Sequence, residues 1–178
     1  MRAKFGIIFL LGAGILFYSF RSGVIGNPFP EISGTTLNDK TVTIPKDTKG
    51  KSTIVAIAYS QDAEKELKTW ADPAYDKFIA KNELLPYDVN LYFIPIFSGA
   101  KAALAESARE KFKKENDPDL YPYVLVYHGE LEKYKTALQM DKKGSPYIFV
   151  LDKDGRIVYS TSGIYTEEKM DAIEDNLE

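Results

Sequence analysis

Four short apolar runs alternate with amphipathic segments along this chain, and the alternation predicts an α/β fold. The runs are rich in β-branched and aromatic residues, which is typical of strands buried on both faces. They lie at residues 52–59, 89–97, 123–127 and 147–151. The first run leads directly into a helical pattern. We therefore expect it to be the central strand, with the following turn at the carboxyl end of the sheet, where α/β proteins usually place their chemistry.

A helix with one apolar face is predicted after the central strand. Its apolar residues recur at helical spacing, at Ala63, Leu67, Trp70, Ala71, Ala74 and Phe78. Pro73 interrupts the pattern, and Asp72 before it is a suitable helix cap. We therefore predict a break into two helices at this point, the second reaching about Asn82.

Further elements follow in order. A hairpin is predicted at residues 29–45, before the central strand, and the Asp-Lys-Asp-Gly turn at 152–155 predicts another after the last run. A terminal amphipathic helix begins at Thr166. Ser98-Gly99 opens a further helix with an apolar stripe, formed by Ala100, Leu104, Ala108 and Phe112.

The N-terminus has a different pattern. Residues 5–20 are apolar apart from one serine; Arg2 and Lys4 precede them, and Arg21 follows. Extended by a few residues, such a run can span a bilayer, and the basic residues before it orient the N-terminus toward the cytoplasm. We expect an uncleaved signal anchor at residues 1–21. A cleaved signal peptide, and hence secretion, is the alternative.

The anchor leaves residues 22–28 as a linker and 29–178 as one domain on the extracytoplasmic side, in the bacterial periplasm or an equivalent compartment. A hydrophobic content of 44% is ample for one core. Three of the 23 basic residues, but none of the 26 acidic ones, precede residue 22, so the rest of the chain is net −6. This charge argues against a nucleic-acid-binding surface.

The chain contains no cysteine, so disulfides, thiolate nucleophiles and cysteine-based metal sites are excluded. Its one histidine is His128. Asp152 and Asp154 lack the glycine and the closing glutamate of a calcium loop, and we interpret them as turn residues. We therefore expect neither a cofactor nor a metal.

Several motifs, taken in order, resemble the thioredoxin-like superfamily, and most closely its peroxiredoxin and membrane-anchored thiol-reductase branch. They are Phe29-Pro30, Gly50-Lys51, the Gly-Ser-Pro loop that ends at Pro146, and residues 147–163 with their D-x-D-G hairpin. The resemblance implies a thioredoxin-like α/β fold with a mixed central sheet, helices on both faces and an N-terminal β-hairpin, preceded here by the predicted transmembrane helix. It also implies a cis peptide bond before Pro146.

Within this fold, Tyr59-Ser60 followed by Trp70 and Pro73 is similar to the mitochondrial ATP-synthase assembly factors of thioredoxin-like type, in which W-x-x-P follows the central strand. Family members carry a cysteine at the turn, where this chain has S-Q-D-A at residues 60–63. A serine hydroxyl is not appreciably ionised at neutral pH without a base, so thiol redox and peroxidase activity do not carry over. A copper-delivery role is excluded as well, because relatives of this fold that deliver copper use two cysteines and a histidine.

We predict a peptide-binding groove at the Ser60 turn instead of an active site. In thioredoxin-like proteins the residue before the cis-proline pairs its backbone with an extended peptide, an interaction that needs no cysteine. A helix cap for Ser60, a core position for Trp70 and a purely structural proline are the alternatives. The candidate groove residues are Tyr59, Ser60, Gln61, Trp70, Ser145 and Pro146.

Three functions are compatible with this pattern. The first is a non-catalytic, membrane-anchored domain that binds an extracytoplasmic polypeptide as an assembly factor or adaptor. The second is an enzyme with Ser60 as nucleophile, which requires a base such as Asp62 or His128 within hydrogen-bond reach. The third is a redox-inactive relative without a dedicated partner.

Overall fold

The computed structural model describes residues 23–80 and 87–177, so the anchor predicted at residues 5–20 lies outside the described part. Within those two ranges, no helix combines the length and the apolar character that crossing a bilayer requires.

The described residues contain one seven-stranded sheet with the order β2-β1-β5-β4-β3-β6-β7. Strands β3, β4 and β5 are parallel, whereas β6, β7, β1 and β2 each run antiparallel to a neighbour. All seven residues of β3 are buried, so the predicted central strand is confirmed. The strands are β1 (Ile32–Thr36), β2 (Thr41–Ile44), β3 (Ser52–Ala58), β4 (Val89–Phe97), β5 (Leu125–His128), β6 (Tyr147–Leu151) and β7 (Ile157–Ser162).

Helices cover both faces of this mixed sheet, as predicted. Side chains of α1 and α4 pack with Ile54 and Ala56 of β3, and α2 packs on the same face. The opposite face, with Val55 and Ile57, is covered by α3 and the β1–β2 hairpin. The helices are α1 (Gln61–Phe78), α2 (Ala105–Glu115), α3 (Glu132–Ala137) and α4 (Glu167–Glu174), with 3-10 helices at Gly99–Leu104 and Pro118–Tyr123.

The predicted break at Pro73 is wrong, because α1 continues through it. A proline inside a helix removes one hydrogen bond and costs about 3 kcal/mol. Buried side chains on both sides of Pro73, including Trp70 and Phe78, pack against the same face of the sheet. Their burial offsets that cost and keeps the helix in one piece.

The predicted apolar stripe after Ser98 is wrong at its start, where Ala100 and Leu104 are exposed, whereas Ala108 and Phe112 are half-buried and Phe112 packs against the core. The segment starts as a 3-10 helix, and Leu104 at its end is 54% exposed. Since a 3-10 helix has three residues per turn, it rotates the face that α2 presents to the sheet. The buried positions of α2 are Ala105 and Arg109, whose guanidinium donates to the carbonyl oxygen of Thr36 at 3.3 Å. Long-range contacts therefore decide which face is buried.

Candidate functional site

Ser60 lies between β3 and α1, at the carboxyl end of the parallel strands. Its Oγ accepts a hydrogen bond from the backbone N–H of Ala63 at 3.1 Å, which caps α1. The same hydroxyl donates to the carbonyl oxygen of Lys143 at 2.6 Å. The helix-cap interpretation is therefore confirmed, and the hydroxyl also ties the turn to the loop at residues 140–146, which we call the Pro146 loop.

Tyr59 makes a second connection to the Pro146 loop. Its side chain is only 9% exposed, and its hydroxyl donates to the carbonyl oxygen of Met140 at 2.8 Å. Burial, followed by the negative charges of nearby groups, raises the pKa of Tyr59 to about 12. The phenol is therefore a neutral hydrogen-bond donor at physiological pH.

The expected cis bond before Pro146 is wrong. Among the described residues the cis peptide bond is Ile44–Pro45, and the Ser145–Pro146 bond is trans. Trans is the intrinsically preferred form even before proline, and the turn in which Ser145 N–H donates to Lys142 O at 3.4 Å leads into β6 without a cis bond.

The Pro146 loop nevertheless lies beside the Ser60 turn. Because Tyr147 pairs with Ile57, Pro146 follows in register beside Ala58. Its carbonyl oxygen already accepts a hydrogen bond from Gly163 N–H at 3.0 Å. This bond joins the Pro146 loop to the end of β7 within the chain.

Trp70 is a core residue and does not line a surface groove. It is 2% exposed, its indole Nε1–H donates to the carbonyl oxygen of Gly163 at 2.9 Å, and Tyr165 packs edge-on against its ring at 5.5 Å. Gly163 thus connects Trp70 to Pro146 through its two backbone groups. Of the remaining groove residues, Gln61 is exposed and Ser145 is half-buried.

No general base for Ser60 is found among the described residues. Its Oγ bonds to backbone groups, and the carboxylate of Asp62 instead faces Lys65 at 3.3 Å. His128 pairs with Phe97, two strands away from the Ser60 turn, which places it roughly 10 Å from that position. The described ranges also contain no cluster of histidine and carboxylate side chains placed to hold a metal.

An open cleft lies on the other side of the Ser60 turn. Of the predicted groove residues, Tyr59, Ser60 and Gln61 line it, whereas its opposite wall was not predicted. It has a volume of about 280 Å³ and lies between α1 and the Gly99–Glu115 segment. A smaller apolar pocket of about 60 Å³ continues it between α1 and α2, sharing Glu64 and Phe112 with it. We call the two together the α1–α2 cleft. Its walls include Ser60, Gln61, Glu64, Lys101, Leu104 and Phe112.

The α1–α2 cleft combines apolar surface with charge. Burial raises the pKa of the Glu64 carboxyl, and nearby Lys101, Lys68 and Lys111 oppose that shift. Lys68 and Lys111 lie within 3.5 and 3.6 Å of Glu115, whereas Lys101 has no ion pair among the described residues. The cleft therefore presents an exposed leucine and an exposed lysine next to its partly buried carboxyl group.

The opposite wall of the cleft was not predicted because of the apolar stripe assigned to the segment after Ser98. The predicted stripe placed Leu104 on a buried face, although the Ser98-Gly99 pair that opens the segment was the available signal for an irregular first turn.

A protein-family model that matches most of the chain shows which family it belongs to. The model of the ATP10 protein family matches residues 26–177. The chain belongs to this family. The resemblance to assembly factors, which rested on Trp70, Pro73 and the Tyr59-Ser60 pair, is thereby confirmed. No curated protein matches the chain.

Solved structures similar to the chain are thioredoxin-like. BsSco, a member of the Sco family of cytochrome c oxidase assembly proteins, has a TM-score of 0.58 at 13% identity and covers 83% of this chain and 90% of its own. The exposed lipoprotein thioredoxin Etrx1 from Streptococcus pneumoniae has a TM-score of 0.55 at 19% identity, and the match covers 82% of this chain and 99% of Etrx1. StoA from Bacillus subtilis has a TM-score of 0.51 at 17% identity, and the match covers 82% of this chain and 97% of StoA. At such identities the likeness shows the fold, which is thioredoxin-like.

Proposed function

We propose that this ATP10-family protein is a non-catalytic assembly factor, anchored in a membrane, whose domain binds a polypeptide partner on the extracytoplasmic side. Family membership and the thioredoxin-like fold support the assembly role. The apolar run at residues 5–20 and its basic flanks support the anchor. The resemblance to ATP-synthase assembly factors makes a subunit of that complex the first partner to test.

The observation that carries the non-catalytic part is the hydrogen bonding of Ser60. Its hydroxyl is engaged with Ala63 N–H and Lys143 O, and no carboxylate or imidazole of the described residues bonds to it. Serine without a base is a poor nucleophile, and the chain has no thiol to replace it. A position that carries chemistry in relatives thus serves here as a structural connection.

The α1–α2 cleft is the favoured contact surface for the partner. The Pro146 loop side of the turn is engaged in hydrogen bonds within the chain, whereas the cleft exposes 54% of Leu104 next to Lys101. A few residues near the centre of an interface usually carry most of the binding free energy, so a charge introduced at Leu104 tests whether the partner contacts this surface.

The test compares Leu104→Glu with Ile164→Glu in the full-length chain. Both residues are about half exposed, 54% and 52%, and Ile164 lies outside the cleft. We expect co-purification of ATP-synthase subunits from detergent-solubilised membranes with the wild type and with Ile164→Glu, and its loss with Leu104→Glu. Equal recovery with both variants would place the contact elsewhere, and no recovery with the wild type would count against the partner.

The enzyme hypothesis has its own test. A fluorophosphonate probe that labels the wild type but not Ser60→Ala would show an activated serine and contradict the non-catalytic proposal. We expect no labelling above that of the Ser60→Ala control.

A further inference from the structure

The first residues of the domain, Gly26 to Phe29, form backbone hydrogen bonds with Gly155 and with Ile157, the first residue of β7. Gly26 N–H donates to the carbonyl oxygen of Ile157 at 2.7 Å, and Ile157 N–H donates to that of Asn27 at 2.9 Å. Phe29 N–H donates to the carbonyl oxygen of Gly155 at 2.9 Å, and its ring is buried. The segment that follows the predicted anchor is therefore fixed to the domain and is not a free linker.

This attachment lies at the end of the sheet opposite Ser60. Ile157 pairs with Leu151, and Leu151 pairs with Thr53 at the start of β3. Because β3 has seven residues, its first and last residues are separated by roughly 20 Å. The α1–α2 cleft begins at the far end, next to Ser60.

The connection to the predicted anchor is short. The apolar run ends at residue 20, and Val24 is already buried in the domain. Four residues span at most about 14 Å even when fully extended. If residues 5–20 cross the bilayer, the amino ends of the parallel strands must therefore stay close to the lipid headgroups.

Three loops meet at this end of the sheet, beside the segment that follows the predicted anchor. Gly50 N–H bonds to Lys153 O and Asn90 bonds to Thr48 O, which brings the loops before β3 and β4 and the β6–β7 turn together. Ile25 is 53% exposed there. The described residues of these three loops include five cations, Lys46, Lys49, Lys51, Lys153 and Arg156, and four carboxylates, Asp47, Asp88, Asp152 and Asp154.

We propose that the domain lies on the membrane with this end, the membrane-proximal surface, against the headgroups, and that it holds the part of the α1–α2 cleft beside Ser60 and Leu104 at the opposite end, facing away from the lipid. The inference rests on the anchor in the proposed function and adds an orientation. Lysine and arginine side chains attract headgroup phosphates, and Ile25 reaches the interface. A partner would then be contacted through its extramembrane part.

Single-cysteine labelling tests this orientation, because the chain has no cysteine of its own. Lys49→Cys and Lys143→Cys are matched exposed positions at the two ends. Each full-length variant is labelled with an environment-sensitive fluorophore and reconstituted into phosphatidylcholine–phosphatidylglycerol vesicles that contain a headgroup-linked quencher. We expect several-fold stronger quenching at residue 49 than at residue 143.

Ile25→Cys and Ile164→Cys form a second pair, with exposures of 53% and 52% in the parent side chains. On vesicle binding we expect blue-shifted emission at residue 25 and unchanged emission at residue 164. Equal quenching at residues 49 and 143, or stronger quenching at 143, in protein that floats with the vesicles would overturn the orientation and leave the anchor intact. Failure to float with the vesicles would overturn both.

Discussion

The two sides of the Ser60 turn differ in whether their groups bond within the chain or face solvent. On one side, Tyr59 and Ser60 donate to carbonyl oxygens of the Pro146 loop, and the carbonyl of Pro146 is bonded to Gly163. On the other side, the α1–α2 cleft leaves Leu104 half exposed. One side is closed by the chain itself, and the other is open to a partner.

This difference separates stability from binding. On the closed side, loss of the buried Tyr59 hydrogen bond leaves a desolvated carbonyl oxygen unpaired, and loss of the Ser60 hydroxyl removes the cap of α1, so changes there should destabilise the fold. Surface substitutions away from such bonds usually change the free energy of unfolding by less than about 0.5 kcal/mol. Changes on the open side should therefore affect binding more than stability.

The largest effect is expected at Trp70, which supports the closed side from within the core. Trp70→Ala should lower the free energy of unfolding by about 3–5 kcal/mol, because it removes a buried ring and the bond to Gly163 O. Urea unfolding followed by circular dichroism measures this, since Trp70 is the only tryptophan. Trp70→Phe keeps a ring and should lose less. A loss below about 1 kcal/mol for the alanine variant would be incompatible with its core position.

Ser60→Ala should have the next largest effect, a loss of about 1–2 kcal/mol, because it removes the cap of α1 and the bond to Lys143 O. Ser60→Thr retains a hydroxyl and is the matched control. Equal unfolding free energies for wild type and alanine variant would mean that the closed side is not held through Ser60.

Tyr59→Phe should cost about 1 kcal/mol at pH 7, through the lost hydrogen bond to Met140 O. Burial raises the pKa of Tyr59 from 10.0 to about 12 in the folded protein. The unfolded chain therefore ionises first, and the wild type loses stability between pH 10 and pH 12. The deficit of Tyr59→Phe should shrink over that range in urea titrations. A constant deficit would contradict the buried, neutral phenol.

The smallest effect is expected at Glu64, on the open side. Because burial raises the pKa of its carboxyl, the folded protein favours the protonated form, and that stabilisation is lost as pH rises above the unfolded value of 4.5. Glu64→Gln should therefore stabilise the protein at pH 7 by less than about 1 kcal/mol, since solvent and the nearby lysines screen the charge. The gain should vanish at pH values below 4.5. A destabilised variant at pH 7 would show that the carboxylate has a fixed partner.

Sequence patterns located the sheet well and the surface poorly. β4 and β6 coincide with the apolar runs at 89–97 and 147–151, because a strand buried on both faces must be apolar along its length. The errors are at Pro73, at the start of the apolar stripe after Ser98 and at the peptide bond before Pro146. In the first two, packing against the sheet overrode a local preference. In the third, the residues of the loop need no cis bond.

The residues alone dictate that this chain folds as a mixed α/β sheet and that no thiol chemistry operates in it, because alternating apolar runs need burial and cysteine is absent. Packing alone decides that Trp70 is internal, that the Pro146 loop closes one side of the Ser60 turn and that Leu104 faces solvent on the other. The physical reason is that exposure depends on contacts between segments distant in sequence, such as Ser60 with Lys143 and Arg109 with Thr36, which no local pattern encodes.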